Sequence, residues 1–325
     1  MKKILILLLI TFLALPVFAE ENEDGGSENG VTSSGEIFLL ISTLPEAKLG
    51  YTHTFKFPVM QGDNPLTSGN NIKLSLTAEA TPISLNGIFK TVLTPVAFLE
   101  FAAGGRIGTG WPLELFGGYI YGTGLNLASD VNVDGEYYEE YKGKPFDSVF
   151  LKGFAGGTFQ FDFAAIFPGD WNHVVFQSYH EISYHTNTNA ANDQSWYFES
   201  DDGENMNGLN YLGNFTLGYQ MPIILSMVAL QAEWAKYLYD TSNRANWGDD
   251  LVRWTFSGIL MFKFNEKFGS ALIVQCRTRR NFTNFDEHKV KDDESVMHYR
   301  SRILDTSNPQ RLEFYRVAAA ITYTF

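Results

Sequence analysis

A single cysteine, Cys276, stands in 325 residues, so no intrachain disulfide framework can hold this fold together. Beyond the first 19 residues, no stretch approaches the ~18 continuous apolar residues that a membrane-spanning helix needs. Positive charge is also scarce, with 24 Lys and Arg against 37 Asp and Glu. That balance excludes a nucleic-acid partner, because phosphate backbones reward clustered cations. Aromatic residues are what the chain has in excess: 27 Phe, 16 Tyr and 6 Trp, alongside 29 Gly.

The N-terminus has the build of a secretory signal. Lys2 and Lys3 supply the charge, residues 4–15 form an apolar core, and Pro16 breaks the helix before Val17-Phe18-Ala19. Small residues in that A-x-A pattern predict cleavage after Ala19. Glu20 and not Cys directly follows the site, so a lipid anchor is not expected. Cleavage removes Lys2 and Lys3 and no acid, leaving 22 basic against 37 acidic residues, a balance of −15. Residues 20–35 are acidic and rich in Gly, Ser and Asn, the composition of a disordered linker. A single domain is expected over 36–325.

Within that domain, period-two alternation recurs. Ile72, Leu74, Leu76, Ala78 and Ala80 share one face, with Lys73, Ser75, Thr77, Glu79 and Thr81 on the other. Residues 149–163, 252–264 and 315–325 repeat the pattern, with Phe159, Phe161, Trp254, Phe256, Ile321 and Tyr323 on the apolar side. Further strands are expected at 48–59, 89–103, 173–184, 209–221, 224–239 and 268–282. Successive side chains on a strand point to opposite faces, so each segment has one apolar and one polar face.

The connections between these strands are expected to alternate in size. Short turns fall near 84–87, 167–172, 220–223 and 264–268. Long polar links fall at 61–71, 105–146, 185–208, 240–249 and 283–310. Short turns at one end and long loops at the other are the rhythm of a transmembrane antiparallel up-and-down β-barrel. Ten strands are expected, with twelve as the rival count, and both termini in the periplasm. Residues 105–146 read as a loop folding over or into the barrel. The terminal strand, Tyr323-Thr324-Phe325 after Tyr315, resembles the last strand of outer-membrane β-barrel proteins as a class. That resemblance implies the cell outer membrane, contact with its lipid, and recognition of the last strand by the barrel-assembly machinery.

Several groups are candidates for chemistry. With apolar faces toward lipid, the inward faces carry Glu181, Glu233, Arg253, Arg277, Arg279 and Arg316. Charges in a narrow lumen must pair, since an isolated buried ion costs several kcal/mol. These six are expected to form a salt-bridge network that plugs the barrel; the other reading is a narrow pore lined by arginines. Asp130, Asn132 and Asp134, followed by Gly135, match the opening of a calcium loop, although its twelfth position is Tyr141 instead of Glu. Ca²⁺ is therefore a possible ligand, and a solvated acidic turn is the alternative.

Ser178 and His180 share the lipid-side face of one strand, as the nucleophile and base of an outer-membrane lipid hydrolase would, with no third member identifiable. His185 and Glu181 face inward near the rim, without the Asp pair that a rim protease needs. Asp193, Glu199, Asp201, Asp202, Glu204, Asp249, Asp250, Asp286, Glu287, Asp292, Asp293 and Glu294 predict a strongly negative outer face. Tyr137, Tyr138, Tyr141, Trp196, Tyr197 and Trp247 interrupt it with side chains common at recognition sites, consistent with an extracellular ligand. Trp234, Trp254 and Tyr315 are expected in an outer aromatic girdle. The whole points to a non-enzymatic surface protein, structural or ligand-binding, or else to a narrow porin-like channel for small polar solutes.

Overall fold

The computed structural model describes residues 30–325, apart from 45, 116, 134, 135, 192, 193, 200–204 and 241–247. In chain order the elements begin with β1 (Thr32–Ser42), β2 (Glu46–Pro58), β3 (Asn71–Thr81), β4 (Ser84–Val96) and β5 (Leu99–Gly110). Next come the small hairpin β6 (Pro112–Leu115) and β7 (Gly118–Tyr121), then β8 (Thr123–Val133) and β9 (Glu136–Gly143). They are followed by β10 (Phe150–Asp162), β11 (Val174–Asn187), β12 (Trp196–Phe198), β13 (Gly208–Gln220) and β14 (Leu225–Tyr237). The last are β15 (Arg253–Lys263), β16 (Phe268–Arg280), β17 (Phe282–Asp292), β18 (Ser295–Leu304) and β19 (Gln310–Thr324).

Twelve of these strands close into one antiparallel barrel, in the order β1-β19-β16-β15-β14-β13-β11-β10-β5-β4-β3-β2. The seam is the pairing of β1 with β19, running from Glu36 opposite Thr324 to Ser42 opposite Ala318. Closure leaves no sheet edge exposed, which is the condition for a β-structure in lipid. The shortest barrel strands have 11 residues, and at a tilt near 45° such a length crosses a bilayer core.

Side-chain alternation places apolar groups outside. Leu76 is 54 %, Ile107 55 % and Leu230 68 % exposed, whereas Thr77, Glu79, Arg106 and Gln231 are buried within. An apolar belt running around a whole barrel far exceeds the few hundred Å² that a soluble monomer leaves in water. The belt therefore faces lipid. Trp234 and Trp254 lie on it with ring centroids 5.5 Å apart. The inner wall also has an apolar patch, where Met227, Ala229, Ile259, Ile273 and Ala318 pack together.

The barrel departs from the expected strand plan in four places. Its strand count is twelve, the rival count, instead of ten. The run 89–103 is two strands, β4 and β5, turning at Ala97-Phe98, where Val96 pairs with Leu99. That turn lacks the Asn-Gly or Asp-Gly chemistry that announces a tight hairpin, although Pro95 sits in the register shift just before it, where a missing N–H is tolerated. β1 supplies the other added strand, beginning at Thr32 inside the stretch expected as linker.

Two added strands move the connections between ends. The link 59–70 lies at the end where β1 begins and β19 ends, and the short connection from β1 to β2 and the tight turn 82–83 lie at the loop end. Strict alternation of short and long links does not hold. Tyr315 faces inward and is buried, because a bulge opposite Gln275 and Cys276 adds a residue to β19 and turns Tyr315 and Arg316 to the same side.

Candidate functional site at the capped mouth of the lumen

The long loops at one end are themselves folded. Strands from three of them form a second sheet, in the order β12-β8-β9-β18-β17, over the barrel mouth. Tyr121, Tyr141, Tyr197 and Val296 form its buried core. The His298 ring stands at its centre, with Nδ1 2.9 Å from the Tyr121 hydroxyl and 2.7 Å from that of Tyr197. Its Nε2 lies 3.0 Å from the Glu287 carboxylate. Burial pushes the Tyr121 phenol well above its ordinary pKa, so this hydroxyl remains a donor. Arg300 lies over the rings of Tyr141 and Tyr197, at 5.2 and 5.4 Å.

This arrangement corrects the reading of the outer face. Tyr138, Tyr141, Trp196 and Tyr197 are buried in the cap and its junction with the barrel, so they display nothing to a ligand. Glu199 and Asp249 are buried too, Asp249 being held by Arg280 at 2.8 Å. The side chain of Tyr137, and Trp247, Asp193, Asp201, Asp202 and Glu204, lie outside the described residues.

Glu199 is the centre of the candidate site. Immediately before it, β12 lies against the barrel interior: the Phe198 ring stacks on Phe150 at 4.5 Å, and Trp196 tilts against the same ring at 5.6 Å. The Trp196 indole N–H donates to Asn207 Oδ1 at 3.1 Å. Glu199 then donates its own N–H to the Gly122 carbonyl at 2.6 Å. Its carboxylate is fully buried and enters a socket on the barrel wall. Ser84 Oγ and Asn86 Nδ2 donate to Oε1, each at 2.6 Å, and Arg106 donates to Oε2 at 2.8 Å.

Ser84 and Asn86 stand on β4 and Arg106 on the neighbouring β5 opposite Ile88, which places the three at successive inward positions down the same wall. Arg106 is aimed by a second bond from Nε to Asn86 Oδ1, 3.1 Å long, and its guanidinium lies 5.3 Å from the Phe198 ring centroid. Burial raises the Glu199 pKa, but Arg106 first, then Lys48 and the bonds from Ser84 and Asn86, outweigh it and bring the carboxyl down to about 2. The residue holds φ at +55°. A left-handed conformation away from glycine costs of order 1–3 kcal/mol, sustained here by the surrounding bonds.

Beneath β12 is a cavity of about 50 Å³ walled by Arg106, Lys152 and Arg253, with Glu181, His185 and the rings of Phe150 and Tyr237 around them. The six charged residues named from sequence distribute around and below it. Glu181 meets Lys152 at 2.6 Å and accepts from the Tyr179 hydroxyl at 2.7 Å. Arg253 lies 4.4 Å over the Tyr237 ring. Arg277 and Arg279 share Glu313 at 3.4 and 3.6 Å. Arg316 is bonded to Glu46 and, at 2.6 Å, to Gln275 Oε1. Glu233 is buried on β14.

Arg106, Lys48, Lys152, Glu46 and Glu79 are members that sequence reasoning missed. Lys152 and Glu79 sat on polar faces already legible, whereas Arg106 fell in a stretch read as loop.

The remaining candidates separate cleanly. Asp134 and Gly135 lie outside the described residues, as do the side chains of Asp130 and Asn132, so the calcium expectation is carried by sequence alone. Ser178 Oγ lies 3.0 Å from His180 Nε2, and the Tyr211 hydroxyl lies 2.7 Å from His180 Nδ1. This chain sits on the outer face, where β11 is paired on both sides along its length. Its backbone N–H groups are committed to the ladder, leaving none converging as an oxyanion hole would require.

A closed, even-stranded barrel with an apolar belt and a polar interior is an outer-membrane barrel. No protein-family model and no curated protein sequence matches this chain. Solved structures similar to it include a KdgM porin, with 8 % identity over 90 % of this chain and 99 % of that one and a TM-score of 0.38. Another is the translocator domain of the autotransporter NalP from Neisseria meningitidis, with 9 % identity, 93 % and 90 % covered, and a TM-score of 0.34. The toluene transporter TodX of Pseudomonas putida has 11 % identity, 92 % and 90 % covered, and a TM-score of 0.32.

Proposed function

We propose that this chain is a non-enzymatic outer-membrane surface protein whose folded loops close the lumen at its outer end. The cap sheet is the exposed part and would serve a structural or ligand-binding role. The observation that carries this reading is Glu199, sealed into the barrel wall by Ser84, Asn86 and Arg106. A loop merely resting over a pore would have no buried, fully bonded carboxylate at its tip. On this reading the C-terminal strand β19 also serves as the signal for the barrel-assembly machinery.

The second reading is a narrow anion path, favoured by the cluster of Arg106, Lys152 and Arg253 around the cavity below the cap. Planar-bilayer recording distinguishes the two. The wild-type protein is expected to stay silent, and steady conductance steps would establish the open channel instead. Lipid hydrolysis that disappears in Ser178→Ala would overturn the non-enzymatic assignment.

A further inference from the structure

We propose that Ser84, Asn86 and Arg106 form a binding site for the carboxylate of a small anionic solute, which Glu199 occupies as a tethered ligand in the closed barrel. This deepens the closed-lumen reading and rests on it. The socket belongs entirely to the barrel wall, since β4 and β5 carry all three donors. Within that wall the bond from Arg106 Nε to Asn86 Oδ1 aims the guanidinium without any contribution from Glu199. A planar guanidinium flanked by an amide and a hydroxyl is the donor set that a carboxylate fits.

The occupant, by contrast, comes from a loop and is held in a left-handed backbone conformation. Its seat is set by the socket, not by its own backbone preference. The chemistry also continues inward, where Arg106 is shared with the cavity that Lys152 and Arg253 line and where Phe150 and Tyr237 offer apolar faces. A carboxylate passing inward from the socket meets Arg253 and Lys152, the latter paired with Glu181 at 2.6 Å, beside ring surfaces. A short mono- or dicarboxylate matches that sequence of contacts. Binding such a solute and releasing Glu199 are one equilibrium, because both carboxylates need the same donors.

The test uses the full mature protein in detergent, with succinate titrated calorimetrically into wild type, Glu199→Ala and Glu199→Ala/Arg106→Ala. Removing the tethered competitor should tighten succinate binding at least about tenfold, since the competent fraction rises toward one. The double variant should lose that binding, and uncharged dimethyl succinate should not bind any of the three. Heat-modifiable migration on gels confirms that each barrel is folded. If Glu199→Ala fails that check, Glu199→Gln takes its place, keeping an acceptor for Ser84 and losing the ion pair. Succinate binding no tighter than wild type, or unchanged by loss of Arg106, overturns the proposal. Inorganic phosphate bound as tightly as succinate overturns its carboxylate specificity. Steady conductance of the wild type defeats the closed-lumen reading, whereas a silent wild type with no gain in the variant defeats this inference alone.

Discussion

The Arg106 guanidinium meets the Glu199 carboxylate at 2.8 Å across 93 residues of sequence, with both side chains sealed from solvent. This contact fastens a loop to the barrel wall, and the two ends of it are not equivalent when cut. Arg106→Ala leaves a carboxylate buried without its main countercharge, a loss of about 3–5 kcal/mol. Glu199→Ala/Arg106→Ala removes both charges and should be milder than Arg106→Ala alone. Chemical unfolding in detergent, followed through Trp196 fluorescence with Trp196→Phe as reference, measures the difference. With Glu199→Ala measured as well, a loss in the double variant equal to the sum of the two single losses would show that the pair is not coupled.

The same contact sets a pH dependence. Glu199 has its carboxyl lowered from 4.5 to about 2 in the folded protein, with burial opposing and Arg106 and Lys48 outweighing it. A group depressed on folding contributes stability that is complete above its unfolded pKa and fades as pH falls through the folded value. Closure should therefore be unaffected between about pH 5 and pH 7 and should weaken progressively from about pH 4.5 toward pH 2. Single-barrel recordings should be silent in the upper range, with openings appearing at the acid end. Glu199→Gln, which has no proton to gain, should remove that dependence. Openings that begin near pH 6 would assign the transition to another group.

Gly108 makes room for the latch. A Cβ at that position would lie 2.3 Å from Asn86 Oδ1 and 2.5 Å from the Phe198 ring. Gly108→Ala therefore crowds both the socket and the aromatic contact preceding Glu199, an overpacking cost of about 1–3 kcal/mol. Gly153 on β10 is the control, since nothing lies within 4 Å of a Cβ built there. Gly153→Ala should leave the cap in place and stabilise the barrel by up to about 1 kcal/mol through the unfolded chain. Protease cleavage within 188–207 reads out the cap directly: Gly108→Ala should accelerate it, and Gly153→Ala should not.

How far the molecule is legible in its sequence depends on the range of the interaction. Alternation on one strand is local, so Leu76 against Thr77 and Phe159 against Gln160 take the faces expected of them. The turn at Ala97-Phe98 left no such mark, because apolar residues continue through it and hide a strand boundary. A bulge is invisible for a related reason: the extra residue that turns Tyr315 inward appears only when β19 is laid against β16. The cap was the least legible part. Tyr141, Tyr197 and His298 come from three separate loops, and their burial follows from pairings that no single segment encodes. Glu199 lies in an acidic stretch where nothing in its neighbours distinguishes a buried latch from solvated charge.

Arg316 allows a last separation, between charges that hold the barrel and charges that merely line it. It stands on β19 and reaches Glu46 at the start of β2 and Gln275 on β16, so its bonds bracket the seam where the first and last strands meet. Both it and Glu46 are buried. Arg316→Ala strands the Glu46 carboxylate, a cost of about 3–5 kcal/mol. For a domain of this size that corresponds to a fall of roughly 10 °C in the temperature at which the folded gel band converts to the unfolded one. Arg279 is the comparison. It is about a third exposed and shares Glu313 with Arg277, so Glu313 keeps a partner when Arg279 is lost. Arg279→Ala should therefore cost about 1 kcal/mol or less. If the two variants shift the band equally, the inward charges act as one undivided lining, and the seam owes nothing particular to Arg316.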